Sequence, residues 1–163
     1  MIQRSIKYSA FCLLIVFSQP VFPQYPKRAN LAIIESDTLS NFLLLHKCKQ
    51  ILNGEGYDIC KMNVDILFLT TMAYPIDELP VLVYYKINIY NTTILLRGYI
   101  MDNRDFNSAG IHVTKRSWER SACRSLNGSL WKTGFEDMII VTEKIRSKIY
   151  GVVTWQVEEN YEL

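Results

Sequence analysis

The chain has 163 residues, of which 49% are hydrophobic and 21% are charged. This composition is too apolar for a disordered segment, and 7 glycines and 5 prolines are too few for a fibrous protein. The length favours a single domain, which buries enough surface to fold without a metal or dense disulfides.

The N-terminus has the pattern of a signal peptide, which we assign to residues 1–18. Arg4 and Lys7 precede an apolar run, Ala10 to Phe17, that is too short to cross a bilayer about 30 Å thick. We therefore predict a secreted, extracellular protein without a transmembrane anchor. The alternative is an uncleaved anchor.

The predicted mature chain carries no net charge. Removing residues 1–18 takes Arg4 and Lys7, and no acid, from 18 basic and 16 acidic residues, which leaves 16 of each. A neutral chain gives no support for nucleic acid as a partner or for a general attraction to anionic membranes.

The mature chain begins with an extended lead-in, residues 19–30, in which three of the 5 prolines fall and which we expect to be poorly packed. Residues 31–163 form the predicted domain. Near its start, LSNFLLLHKCKQIL at 39–52 predicts either a short helix capped by Ser40 or Asn41 or a buried strand, because its periodicity does not decide.

From Met62 onward the pattern predicts β-strands. The first is MNVDILFLTT at 62–71, in which Met62, Val64, Ile66 and Phe68 share one face. The clearest is VLVYYKINIY at 81–90, whose apolar side chains recur at every second residue, as in a half-buried strand. On one face it carries Val81, Val83, Tyr85, Ile87 and Ile89.

A hairpin and two further strands complete the predicted fold. Asn91-Thr92 predicts a turn into a strand TILLRGYIM, and EDMIIVTEKI at 136–145 and KIYGVVTWQVEE at 148–159 read as the last two strands. Short strands separated by turns are typical of an all-β fold. Such a fold is either an antiparallel, immunoglobulin-like β-sandwich or a barrel. The sandwich is our predicted fold class, with the N-terminal helix or strand left open.

The sequence contains no catalytic signature, and we predict a non-enzymatic protein without a cofactor or metal. DFNSAG at 105–110 imitates only part of a calcium loop, and His46, Cys48 and His112 lack the spacing of a zinc site. Cys48, Cys60 and Cys123 allow one disulfide and one odd thiol, and spacing does not say which two pair.

A basic segment and two glycosylation motifs complete the candidate features. KRSWERSACR at 115–124 is either a solvated loop or a surface for an anionic head group, glycan or protein partner, with Trp118 adding an aromatic contact. Asn91 in NTT and Asn127 in NGS are N-glycosylation acceptors at predicted turns.

Three pieces of the second half are similar to the ML (lipid-recognition) superfamily of small secreted β-sandwich proteins. They are the strand YYKINIYNT at 84–92, the turn CRSLNG at 123–128 after a charged loop, and the ending KIYGVVTWQVEEN at 148–160. Secreted insect proteins related to the ganglioside activators are a neighbouring possibility.

The resemblance implies that a lipid, sterol or other small hydrophobic ligand binds between two sheets. The apolar wall would then be formed by Ile66, Phe68, Val83, Tyr85, Ile87, Val153 and Trp155, and the charged rim by Lys115, Arg116 and Arg120. Alternating apolar residues also form closed cores. The alternative function is therefore a secreted interaction protein or receptor ligand with a closed core, which makes contact through the basic segment and exposed aromatic residues.

Overall fold

The computed structural model describes residues 25–76, 79, 81–102, 118–122 and 129–159. The predicted signal peptide, 1–18, lies outside them. The described residues form, in chain order, β1 (Leu31–Glu35), α1 (Asn41–Gly54), β2 (Ile59–Asn63), β3 (Phe68–Thr71), β4 (Tyr74–Pro75), β5 (Val81–Tyr90), β6 (Thr93–Asp102), β7 (Glu119–Arg120), α2 (Leu130–Ile149) and β8 (Val152–Gln156).

These strands belong to one antiparallel sheet in the order β2-β3-β5-β6-β1-β8, with β4 paired to β5 and β7 paired to β6. The antiparallel sheet of the prediction is confirmed and the fold is β-rich, but it is not all-β, because α2 is a 20-residue helix that the prediction did not include. A second sheet, as in a sandwich, is not found among the described residues. Instead α1 and α2 contact each other and pack on one face of the sheet, α1 against β5 and α2 mainly against β6. We call the helix-covered face the inner face and the opposite one the outer face.

The segment whose periodicity was ambiguous is a helix, α1. Ser40 caps it, because its hydroxyl accepts a hydrogen bond from the amide of Leu43. The buried side chains of α1 recur at helical spacing and face the sheet. They are Leu44, Leu45, Cys48 and Leu52.

The prediction of one strand over 62–71 is wrong, because the chain turns back in its middle. β2 ends at Asn63, whose side chain accepts a hydrogen bond from the amide of Asp65 at 2.9 Å, and β3 begins at Phe68. An asparagine that holds its own following backbone in this way makes a turn without glycine or proline. Ile66, predicted to line an inner wall, therefore lies in the turn with 66% of its surface exposed.

The central hairpin matches its prediction. The alternate residues of β5 from Val81 to Ile89 are buried on the inner face, and the residues between them are half-buried on the outer face. Asn91 and Thr92 both have positive φ, 45° and 59°, as in the two-residue type I′ turn that suits hairpins.

The prediction of a strand over 136–145 is also wrong, because this segment lies within α2. Ser129 caps α2 by accepting from the amide of Lys132 at 3.3 Å, and Tyr150 ends it in the left-handed conformation. The buried side chains include Phe135, Met138, Val141, Ile145 and Ile149, spaced three or four residues apart. The last predicted strand, 148–159, is correspondingly shorter and becomes β8.

The described part of the lead-in, residues 25–30, is packed at both ends, contrary to the prediction, whereas residues 26–28 are exposed as expected. The ring of Tyr25 lies edge-on to Phe135 and Trp155, with centroids 5.4 and 5.2 Å away. Ala29 and Asn30 are buried. Tyr25 therefore covers part of the apolar surface of α2 and β8.

Candidate binding face of the sheet

A row of basic side chains crosses the outer face. Lys61 on β2 pairs with Thr70 on β3, Thr70 pairs with Lys86 on β5, and Lys86 pairs with Arg97 on β6. Residues in register on neighbouring strands lie side by side at about 4.8 Å, so the row spans about 14 Å. Strand pairing therefore places three cations, distant in sequence, along one line.

Arg97 is held rigidly at the β6 end of this row. Its Nε and Nη2 donate to the two carboxylate oxygens of Glu158 at 2.9 and 2.7 Å, and its Nη1 donates to Asn88 Oδ1 at 3.3 Å. A guanidinium bound at two oxygens is fixed in orientation as well as in position. The hydrogen bonds to Glu158 are the main cause that raises the pKa of Arg97.

Arg120 contacts the same carboxylate, and its burial differs from the predicted position at the rim. We expected an exposed rim residue, but its side chain is only 2% exposed, and its Nη2 lies 2.6 Å from Glu158 Oε2. The hydrogen bonds from Arg97 and then those from Arg120 lower the pKa of Glu158 from 4.5 to about 2, against the opposing effect of burial. Asn30 completes the cluster, since its side chain bonds the backbone of Glu158 at 2.8 and 3.1 Å.

Aromatic rings lie beside the basic row. Tyr84 and Tyr99 stack with centroids 4.8 Å apart, and Trp118 meets Tyr84 edge-on at 4.7 Å. The ammonium of Lys86 lies 4.8 Å from the centroid of Tyr99, within cation–π range. Burial, with the nearby hydroxyl of Tyr99, raises the pKa of Tyr84 to about 12.

Among the described residues, the outer face therefore has a net positive charge. Lys61 and Lys86 have no carboxylate partner in this part of the chain, Arg97 and Arg120 both contact Glu158, and Glu35 on β1 is the second carboxylate on this face. Chemically, this arrangement suits binding of anions. It offers fixed donors next to aromatic carbon.

The residues predicted to line a ligand cavity do not form one wall. Val83, Tyr85 and Ile87 are buried in the core of the inner face, while Phe68 lies half-buried on the outer face, in register with Asn88. Val153 and Trp155 are half-buried at the margin of the core. The predicted rim residues Lys115 and Arg116 lie outside the described residues.

A cluster of tyrosines surrounds one carboxylate between the two layers. The hydroxyls of Tyr74 and Tyr85 both donate to Asp137 Oδ2, and the ring of Tyr57 lies 4.6 Å from that of Tyr74. Burial is the main cause that raises the pKa of Tyr74 and of Tyr85, so both phenols stay protonated. The cluster joins α2 to β4 and β5, because Asp137 lies on α2 and its two donors, Tyr74 and Tyr85, lie on these strands.

Cys48 and Cys60, two of the three candidate disulfide cysteines, are free thiols. Cys48 is buried, which raises the pKa of its thiol to about 12, and Cys60 is exposed on β2. Within the described ranges no three His, Cys, Asp or Glu side chains are grouped as metal ligands. Cys123, Asn127, His112 and the calcium-like segment 105–110 lie outside those ranges.

Sequence reasoning missed most of the outer face. Lys61, Arg97 and Glu158 carry no motif, and only the strand register reveals that they belong together. Lys86 was visible as the polar side of β5, which was the one available signal.

A scan against protein-family models and a search of curated proteins both gave no match for this chain. No helix in the described part of the chain has the length and apolar character needed to span a membrane. The similarity to the ML superfamily stays a hypothesis based on the three sequence pieces.

Proposed function

We propose that the chain is an exported, non-enzymatic interaction protein with a closed core, whose outer face binds an acidic surface of a partner protein such as a cell-surface receptor. The observation that carries the proposal is the row Lys61, Lys86 and Arg97 on adjacent strands. Export follows from the predicted signal peptide, and the closed core is supported by the full burial of Tyr85 and Ile87.

The rigidity of the face favours binding. Arg97 is clamped by Glu158 and Asn88, and Lys86 rests on Tyr99, so little side-chain entropy is lost when a partner binds. Arginine, tyrosine and tryptophan are also the side chains that dominate the binding energy of protein interfaces. Because the predicted mature chain is neutral, the attraction is local to this face.

A charge-reversal experiment tests the role of the row. The probe is immobilised poly-L-glutamate, and the variant is Lys61→Glu with Lys86→Glu. Exposed charge pairs contribute up to about 1 kcal/mol each, so loss of two and the added repulsion lower the affinity ~10–100-fold. The matched control is Lys47→Glu with Lys49→Glu, which changes the charge equally on the exposed side of α1.

The control decides between a local site and a net-charge effect. Equal losses in both double variants would refute the outer face as the site. Binding to heparin or to anionic vesicles but not to poly-L-glutamate would refute the acidic protein partner and favour a sulfated glycan or a lipid surface instead.

A lipid or other small hydrophobic ligand is the second candidate. It is supported by the half-buried Val153 and Trp155 beside Tyr25 and Phe135, which leave aromatic surface at the margin between α2 and β8. The ligand would lie between the sheet and the layer packed on it. Native mass spectrometry of the secreted protein tests this candidate. A bound lipid that is lost on denaturation supports it, and failure to bind fatty acids, sterols and glycolipids refutes it.

A further inference from the structure

In the described part of the chain, one end of the sheet carries most of the large exposed apolar side chains. The turns β2–β3 and β5–β6, the start of α1 and the end of α2 all lie at this end, which we call the hairpin end. Of the eleven large apolar residues exposed in the described chain, seven are here: Phe42, Leu43, Val64, Ile66, Tyr90, Tyr150 and Val152.

Hydrogen bonds place the start of α1 against the β5–β6 turn. The amide of Thr92 donates to Asn41 Oδ1 at 2.7 Å, and Asn41 directly precedes Phe42. Tyr90, two residues before Thr92, is 69% exposed. Phe42 and Tyr90 therefore both lie close to the turn.

The β2–β3 turn lies beside the same hairpin. The amide of Ile89 donates to the carbonyl of Leu67 at 3.0 Å, next to the exposed Ile66. The carbonyl of Val64 accepts from the amide of Leu67 at 3.4 Å, which closes this turn. Both exposed aliphatic residues thus belong to the hairpin end.

The end of α2 completes the surface. Glu35 is in register with Thr93 on one side and with Val152 on the other, so Val152 lies two strand spacings, roughly 10 Å, from the hairpin. Tyr150, 90% exposed, ends α2 two residues earlier. Soluble proteins rarely leave apolar surface concentrated in this way unless something covers it.

Asn91 stands at the tip of this surface and is a glycosylation acceptor. It is exposed, its side chain makes no hydrogen bond among the described residues, and the hydroxyl of Thr93 completes the motif NTT. We propose that an N-linked glycan on Asn91 covers the apolar hairpin end. The glycan is bulky and hydrophilic, so it would keep the neighbouring apolar side chains from associating with those of another molecule through the hydrophobic effect.

The modification needs an oligosaccharyl pyrophosphate donor and a transferase of the export route. Asn91 Nδ2 forms a bond to C1 of the first sugar, the bond from C1 to the pyrophosphate oxygen breaks, the pyrophosphate group leaves, and a proton of the amide nitrogen passes to a base. The inference rests on the export that the proposed function includes. It does not rest on binding by the outer face.

The experiment uses the full chain secreted from a eukaryotic host. Thr93→Ala removes the motif, Thr93→Ser keeps it, and Thr92→Ala is a matched control that removes the other turn hydroxyl while leaving NTT functional as NAT. Asn127→Gln separates any glycan on the second motif. Mass before and after glycosidase treatment gives the occupancy of Asn91.

The covering role is measured by a dye that fluoresces on apolar surface and by light scattering. We expect Thr93→Ala, but not Thr93→Ser or Thr92→Ala, to increase dye fluorescence several-fold and to self-associate. Adding Ile66→Ser and Tyr90→Ser to Thr93→Ala should reverse both changes. This reversal assigns the effect to the hairpin end and shows that Thr93→Ala is folded.

Three outcomes would overturn the inference. If the protein is secreted without a glycan on Asn91, the proposed modification is refuted, while export is not. A glycan whose loss changes neither dye fluorescence nor association would refute the covering role. Protein retained in the cell and unmodified would refute both the inference and export, whereas the poly-L-glutamate test of the outer face is independent of all three.

Discussion

Replacing Glu158 by glutamine tests the cluster that fixes the outer face. Glutamine keeps the shape of the side chain but removes the charge that Arg97 and Arg120 share. Because Arg120 is 2% exposed, its buried guanidinium would lose a charged partner that lies 2.6 Å away. We expect Glu158→Gln to be folded and clearly less stable at neutral pH.

The size of the loss follows from the pKa of Glu158. A pKa lowered from 4.5 to about 2 corresponds to about 3 kcal/mol of preference for the charged form, at roughly 1.4 kcal/mol per pKa unit. The side chain is 28% exposed, so water screens part of this interaction. We therefore expect Glu158→Gln to lower the free energy of unfolding by about 2–3 kcal/mol at pH 7.

The assay is denaturant unfolding across a pH series. The folded state holds the pKa of Glu158 below its unfolded value, so the contribution is complete above about pH 4.5 and is lost as the pH falls towards 2. The difference between wild type and variant should shrink over that range. The control is Glu159→Gln at the exposed neighbouring position. Equal losses at both positions, or a difference that does not change with pH, would refute the reasoning.

Three further predictions concern the interior and the aromatic rings. Gly134→Ala should destabilise the protein by about 1–2 kcal/mol in thermal unfolding, although alanine favours helices, because the added carbon would lie 2.9 Å from Ile100 Cδ1; an increase in stability would contradict this packing. Asp137→Ala should lower the unfolding free energy by about 2 kcal/mol, because the buried Tyr85 hydroxyl loses its acceptor, and a neutral effect would contradict the joining role of the cluster. The pKa of Tyr84 is raised to about 12 in the folded state, so the free energy of unfolding should fall as the pH rises from about 10 towards 12 and the folded protein resists deprotonation of this phenol. Tyr84→Phe has no phenol to deprotonate at this position and should lose less stability than wild type over that range. Equal losses would argue against the raised pKa.

The sequence predicted the hairpin of β5 and β6 because a sheet buried on one face leaves a two-residue period that can be read directly. Asn91 and Thr92 then marked the turn. The same reasoning failed at α2, where ten residues of mixed apolar character fit either period. Two signals favour a helix here: the N-capping Ser129, and apolar residues that recur every three or four positions from Phe135 to Ile149.

The candidate site was harder to predict than the fold. Lys61 and Lys86 become neighbours only through β3, and Glu158 reaches Arg97 only after β8 has joined β1. The register of a sheet is set by which turns form and by which face is buried. Because the turn after Asn63 was not recognised, β2 and β3 were predicted as one strand and their pairing could not be derived. Side chains that meet across a sheet leave no local pattern in the chain.

The strand order also has a consequence for how the chain folds as it is synthesised. β1 lies between β6 and β8, so the earliest strand has its two neighbours among the latest. Asn30 and Glu158, which bond each other beside this strand, are 128 residues apart. Pairing at such separation is slow, since a long loop must close first. During translation β1 would remain an unpaired apolar strand until β6 emerges, and a chain truncated before β8 would expose the edge of β1, which is a template for aggregation.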